Sequence, residues 1–126
     1  MPDSASSPSS RRSASERLSL TCTPYKATID DKEFTGEDLP LRRYTLVDGP
    51  KLKWEVLGSN SRPNFFTVQR NDDNTLVASY REVYGATTIN YLVTISKREK
   101  TVREHSRTKQ GHGYPDSDDI IFLRCH

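Results

Sequence analysis

After residue 41 the chain alternates apolar and polar residues with a period of two, and each alternating run ends at a turn. The run KLKWEVL puts Leu52, Trp54 and Val56 on one face and Lys51, Lys53 and Glu55 on the other, the pattern of a half-buried antiparallel strand. RRYTLVD precedes it across Asp48-Gly49-Pro50, where glycine is free to take positive φ and proline cannot continue a central ladder, so the two runs predict a hairpin. After a longer turn around Gly58 and Pro63 comes FFTVQR, with Phe66 and Val68 sharing a face with Arg70. Two further turn sequences, Asn71-Asp72-Asp73-Asn74 and Tyr84-Gly85-Ala86, set off TLVASYREV and TTINYLVTIS. In the second of these, Ile89, Tyr91, Val93 and Ile95 form an unbroken period of two. Connections this short make sequential antiparallel pairing the expected topology.

The other segments are less regular. Residues 21–40 mix acidic positions with a turn at Thr35-Gly36; a short strand over 26–29 and a single helical turn in ATIDDKEF both remain open there. In residues 97–109, KREKTVREHSRTK, Val102 is the only strong apolar residue, so no helix face would hold to a core, and Lys100 to Glu104 are expected as a charged hairpin arm or edge strand. GHGYPDSDD reads as a loop and IIFLRCH as a terminal strand, whose contiguous Ile120 to Leu123 suggest burial on both faces. The expected fold is mainly β, an antiparallel meander of about six or seven strands forming a small barrel or curled sheet.

Composition adds a tail to this picture. The chain is the size of one domain, yet 33% of it is apolar and 29% charged, which leaves a modest core and room for an unfolded part. Residues 1–20 hold eight serines, two prolines and no aromatic residue, so they predict a disordered Ser/Arg-rich tail before a single β-rich domain over 21–126. Within the tail, Arg12 stands three residues before Ser15, a spacing that suits basophilic kinases and marks Ser15 as a phosphorylation candidate. With 19 basic and 17 acidic residues the net charge is +2, too even for a dedicated nucleic-acid-binding chain, and DNA is not expected as a partner. No apolar run reaches the roughly 18 residues of a membrane span and no signal-peptide core follows Met1, so the expected compartment is cytoplasmic or nuclear. There Cys22 and Cys125 are expected as free thiols; paired, they would close a loop of about a hundred residues.

Candidate chemistry is sparse. His105, His112, His126, Cys125, Asp116, Asp118 and Asp119 have the right types for a metal, but they lack the close ligand pairs of a zinc site and the glycine and glutamate of a calcium loop, so no metal or cofactor is expected. There is no G-x-S-x-G elbow, no Cys/His signature and no glycine-rich phosphate loop. An enzyme is not expected; the enzymatic alternative would use His105 or His112 with an acid from residues 116–119. The one regional charge excess is Lys97, Arg98, Lys100, Arg103, Arg107 and Lys109 against Glu99 and Glu104, which would suit acidic lipid headgroups, an acidic protein partner or RNA phosphates. No aromatic residue interleaves these cations to stack on bases. The aromatic set Tyr44, Trp54, Phe65, Phe66, Tyr80, Tyr84 and Tyr91 either forms the core or lines a cavity in a closed barrel.

The run KLKWEVLGSNSRPNFFTVQRNDDNTLVASYREV resembles a repeated unit of the tubby-like and LURP-one-related β-barrels and their small fungal relatives. The shared features are a strand with Trp-Glu-Val, a turn, Phe-Thr-Val-Gln-Arg, a second turn and a strand ending in Ala-Ser-Tyr, within residues 44–95. The resemblance implies a closed barrel around a central apolar helix and, as in tubby proteins, phosphoinositide binding through basic residues. The chain departs from that pattern after Ile95, where a basic hydrophilic segment and IIFLRC stand in place of the helix. The expected function is a non-catalytic binding domain that contacts an acidic partner through residues 97–109, the alternative being a small-molecule carrier with an aromatic-lined cavity.

Overall fold

A computed structural model describes residues 18–47 and 50–126; the tail with Ser15 and the turn residues 48–49 lie outside the described residues. Among the described residues nine strands follow one another: β1 (Ser19–Ile29), β2 (Lys32–Thr35), β3 (Arg42–Val47), β4 (Lys51–Val56), β5 (Asn64–Asn71), β6 (Thr75–Tyr84), β7 (Thr87–Ser96), β8 (Thr101–Lys109) and β9 (Ser117–Cys125). The sheet order is β2-β1-β3-β4-β5-β6-β7-β8-β9, and β1 also pairs with β9. All strands but β2 therefore close into an eight-stranded, antiparallel, up-and-down barrel. The expected antiparallel meander is present with more strands than the pattern alone counted, and of the two forms left open, a small barrel or a curled sheet, the chain adopts the closed barrel. Among the described residues no helix is long and apolar enough to cross a membrane.

Closure depends on β1, which serves three neighbours. Ser19 to Cys22 pair with β3, Lys26 to Ile29 pair with β2, and the opposite edge pairs with β9. A bulge between Pro24 and Lys26 takes Tyr25 out of register and lets this long strand bend around the barrel. Gly36 packs on that bulge so closely that a Cβ there would lie 2.7 Å from the Tyr25 backbone nitrogen. The acidic residues that blurred residues 21–40 have a local role. Asp30 and Asp31 form a tight turn with φ of 50° and 69°, a conformation that aspartate tolerates better than most residues. The Asp30 carboxylate accepts a hydrogen bond from the Asp118 amide at 3.0 Å, and the Asp30 amide donates to the Asp118 carbonyl at 2.9 Å, which ties the turn to β9.

Three expectations are corrected. Residues 101–109 are neither a projecting arm nor an edge: β8 pairs along its length with β7 and with β9 and forms part of the wall. The last strand begins at Ser117, inside the predicted loop, and of Ile120 to Leu123 only Leu123 is fully buried. Phe122 faces outward, covered by the Tyr25 ring at 6.4 Å and the Lys26 ammonium at 4.6 Å. Finally, Cys22 and Cys125 are joined in a disulfide rather than free, because closing β1 on β9 makes them register partners.

The interior changes character along the barrel axis. Leu76, Ile95, Val102 and Leu123 stand side by side across β6 to β9, all fully or almost fully buried, and with Leu46 and Leu52 they belong to one hydrophobic core. Two residues along each strand the same row reads Ala78, Val93, Glu104 and Ile121, and two further it reads Tyr80, Tyr91, Ser106 and Asp119. On β3 the corresponding step runs from Leu46 through Tyr44 to Arg42. Polar groups thus join the inward rows on one side of the apolar one.

The hairpin turn between β5 and β6 is held by Asp72. Its carboxylate accepts the amides of Asn74 at 3.0 Å and Thr75 at 2.8 Å and the Arg70 guanidinium at 2.7 Å. The Arg70 bond, helped by the two amides, pushes the Asp72 carboxyl down to about 2. Because the folded value is depressed, the turn's contribution is complete above the ordinary aspartate value and fades as pH falls toward 2. Carboxyl carbon NMR of Asp72 is expected to show its midpoint near pH 2; a midpoint near 4 would mean that these bonds do not persist in solution.

Candidate functional site

At the centre of the polar interior is Glu104, aimed inward from β8. Its carboxylate accepts the Trp54 indole N–H at 2.6 Å and the Tyr44 hydroxyl, both projected from strands on the far side of the barrel. The Arg42 guanidinium completes the cluster, with Nε 3.5 Å from Glu104 Oε1; the two side chains are 8% and 13% exposed. Arg42 Nη1 donates to the Pro40 carbonyl at 2.6 Å, and the guanidinium lies 5.6 Å from the Trp54 ring centre. Its Nε–H has no hydrogen-bond acceptor. Burial, reinforced by the neighbouring Glu104 charge, raises the Tyr44 phenol well above its usual range, so it stays a donor.

Beside this cluster is a cavity of about 180 Å³ whose walls include Arg42, Trp54, Phe66, Tyr91, Glu104 and Ile121. Phe66 is the hub of its aromatic wall, 6.3 Å from Trp54, 5.5 Å from Tyr80 and 6.2 Å from Tyr91 between ring centres. Burial, aided by Glu82, pushes the Tyr91 phenol up to about 12. Of the aromatic set read from the sequence, Phe65 and Tyr84 do not join this wall and are exposed. Nearer the barrel end, Asp119 keeps one carboxylate oxygen buried without a partner, and burial together with Asp30 and Asp118 raises its carboxyl.

The six cations of residues 97–109 do not gather into one patch. Lys97, Arg98 and Lys100 lie in the β7–β8 turn, where the Lys97 ammonium donates to the Asn71 side chain and to the Asp72 carbonyl at 2.6 Å. Arg103, Arg107 and Lys109 occupy outward positions of β8, so this stripe runs for about 20 Å at roughly 3.3 Å per residue. Arg107 reaches a broad open groove on the outer wall that also includes Gln69, Ser79, Arg81 and Asn90.

His105 and Asp118 do meet, Nε2 to Oδ1 at 2.6 Å, but they face outward from neighbouring wall strands and are 28% and 50% exposed. That pair bridges β8 and β9. His126 contacts the Thr23 hydroxyl at 2.6 Å, and His112 sits in the β8–β9 loop with a φ of 61°. Among the described residues no group of three or more His, Cys, Asp or Glu could hold a metal.

Sequence reasoning missed Arg42 and Glu104. The available signal was the alternation Val102, Glu104, Ser106 and Thr108, a strand period written mostly in polar residues.

Fold and cavity together define a class: a closed eight-stranded antiparallel barrel with a polar cluster and an aromatic-walled cavity inside. No family model, no curated protein and no solved structure matches this chain.

Proposed function

We propose that the protein is a non-catalytic binding barrel that holds one small, largely apolar molecule in its interior. The observation that carries this is the cavity of about 180 Å³ whose walls include Trp54, Phe66 and Tyr91. Eight strands enclose a space that side chains just fill or that admits one small ligand, and here they leave room. Concave walls that combine aromatic and aliphatic side chains with placed polar groups are the ordinary composition of a ligand site, and Trp54, Phe66, Tyr91, Val93 and Ile121 stand here beside Arg42 and Glu104. The disulfide favours an oxidising compartment over the cytosol or nucleus, since such bonds persist where thiols are not kept reduced.

Trp54 is the only tryptophan and forms part of the wall, so its fluorescence reports occupancy. A fragment library titrated against the oxidised protein is expected to give saturable changes in Trp54 emission. Val93→Phe, which places a ring where the cavity now is, is expected to abolish them while leaving the β-sheet circular dichroism intact. Emission indifferent to every fragment would overturn the proposal.

A further inference from the structure

We infer that the ligand of this cavity is a neutral, single-ring aromatic molecule carrying an acceptor oxygen, which takes the Nε–H of Arg42, a group that is ion-paired with Glu104 but has no hydrogen-bond acceptor. The inference rests on the binding-barrel reading and names the chemistry of the same site. Size comes first. An apolar cavity of about 150 Å³ takes up benzene, so about 180 Å³ suits one ring with a short substituent. Shape agrees, because Trp54, Phe66 and Tyr91 wall the space with ring faces and edges against which an aromatic ligand packs offset or edge-on.

Charge is the second constraint. Arg42 and Glu104 neutralise one another inside the barrel, and the His105 imidazole on the cavity wall is already engaged by Asp118, so an ionised ligand would add a charge without a free partner. The third constraint is the hydrogen-bond account. The Tyr44 hydroxyl and the Trp54 N–H are both spent on Glu104, and Arg42 Nη1 is spent on Pro40. Among the described residues two buried side-chain polar atoms have no partner, Arg42 Nε and Asp119 Oδ1, and of these residues only Arg42 lines the cavity. A buried charged donor left without an acceptor is costly, so a ligand oxygen in that position is favoured over an apolar group.

The test compares acetophenone with α-methylstyrene, which has the same shape with CH₂ in place of the carbonyl oxygen, and with benzoate and benzylammonium. Binding to the full oxidised chain is measured by isothermal titration and by Trp54 emission. Acetophenone is expected to bind about tenfold or more tighter than α-methylstyrene, the contribution of a hydrogen bond from a charged donor, and both ions are expected to bind more weakly than acetophenone. The double variant Arg42→Met with Glu104→Gln, which keeps an acceptor for Tyr44 and Trp54, is expected to equalise the two neutral probes. The comparison on the unmodified protein stands even if that variant fails to fold. Equal binding of the two neutral probes would mean that water satisfies Arg42; the inference would fall and the binding barrel would stand. Tighter binding of either ion would overturn the neutral assignment. Failure of all four probes to bind would count against the binding barrel itself.

Discussion

Replacing both Cys22 and Cys125 by alanine is expected to lower the stability of the barrel by about 4–5 kcal/mol, the loop-closure contribution of a cross-link spanning about a hundred residues. The bond spans 103 residues and fastens the two strands whose pairing closes the sheet. Without it the unfolded chain regains that conformational freedom, while the folded barrel keeps its β1–β9 hydrogen bonds. Urea unfolding of the oxidised protein beside the Cys22→Ala/Cys125→Ala variant measures the difference. A loss below about 1 kcal/mol would show that strand pairing alone secures the closure.

Glu104→Leu is expected to have an effect of similar size, roughly 3–5 kcal/mol, because it strands the Arg42 charge in the interior and removes the acceptor of both Tyr44 and Trp54. The cost arises from what is left behind more than from the value of the pair. Arg42→Met with Glu104→Gln removes both charges, retains an acceptor oxygen, and is expected to cost clearly less than Glu104→Leu alone. Urea melts of Glu104→Leu and of the double variant supply the comparison, and Arg42→Met and Glu104→Gln measured singly beside that double variant close the cycle that gives the coupling between the sites. Loss of no more than about 1 kcal/mol in Glu104→Leu would mean that water reaches Arg42 and takes over its solvation.

Where the barrel wall is apolar inside and polar outside, the strands were legible. Leu52 and Trp54 on β4, and Tyr91, Val93 and Ile95 on β7, alternate because each inward position meets the core. The Asp72 turn was legible because its side chain carries its own hydrogen-bonding instructions. β8 was not, since its inward residues include Glu104 and Ser106 and look no more apolar than its outward ones. Polar residues at the site thus masked the strand that bears them. β1 was obscured differently: its bulge shifts the alternation by one residue at Tyr25, and a period of two cannot be followed across such a shift. Arg42 carried no local mark at all. Its role depends on a carboxylate brought to it from β8, and only closure of the barrel makes them neighbours.

Closure also has a cost during folding. The neighbouring strands from β3 to β9 are paired through local turns, whereas the β1–β9 seam unites residues about a hundred positions apart. Contacts of that separation form late, after the entropy of a long loop has been overcome. Until then the molecule is a curled open sheet whose two flanks present unpaired amides and carbonyls, and such flanks recruit other chains as readily as each other. The seam that creates the cavity is therefore also the step at which newly made molecules are most exposed to aggregation, and oxidation of the two cysteines ends that exposure.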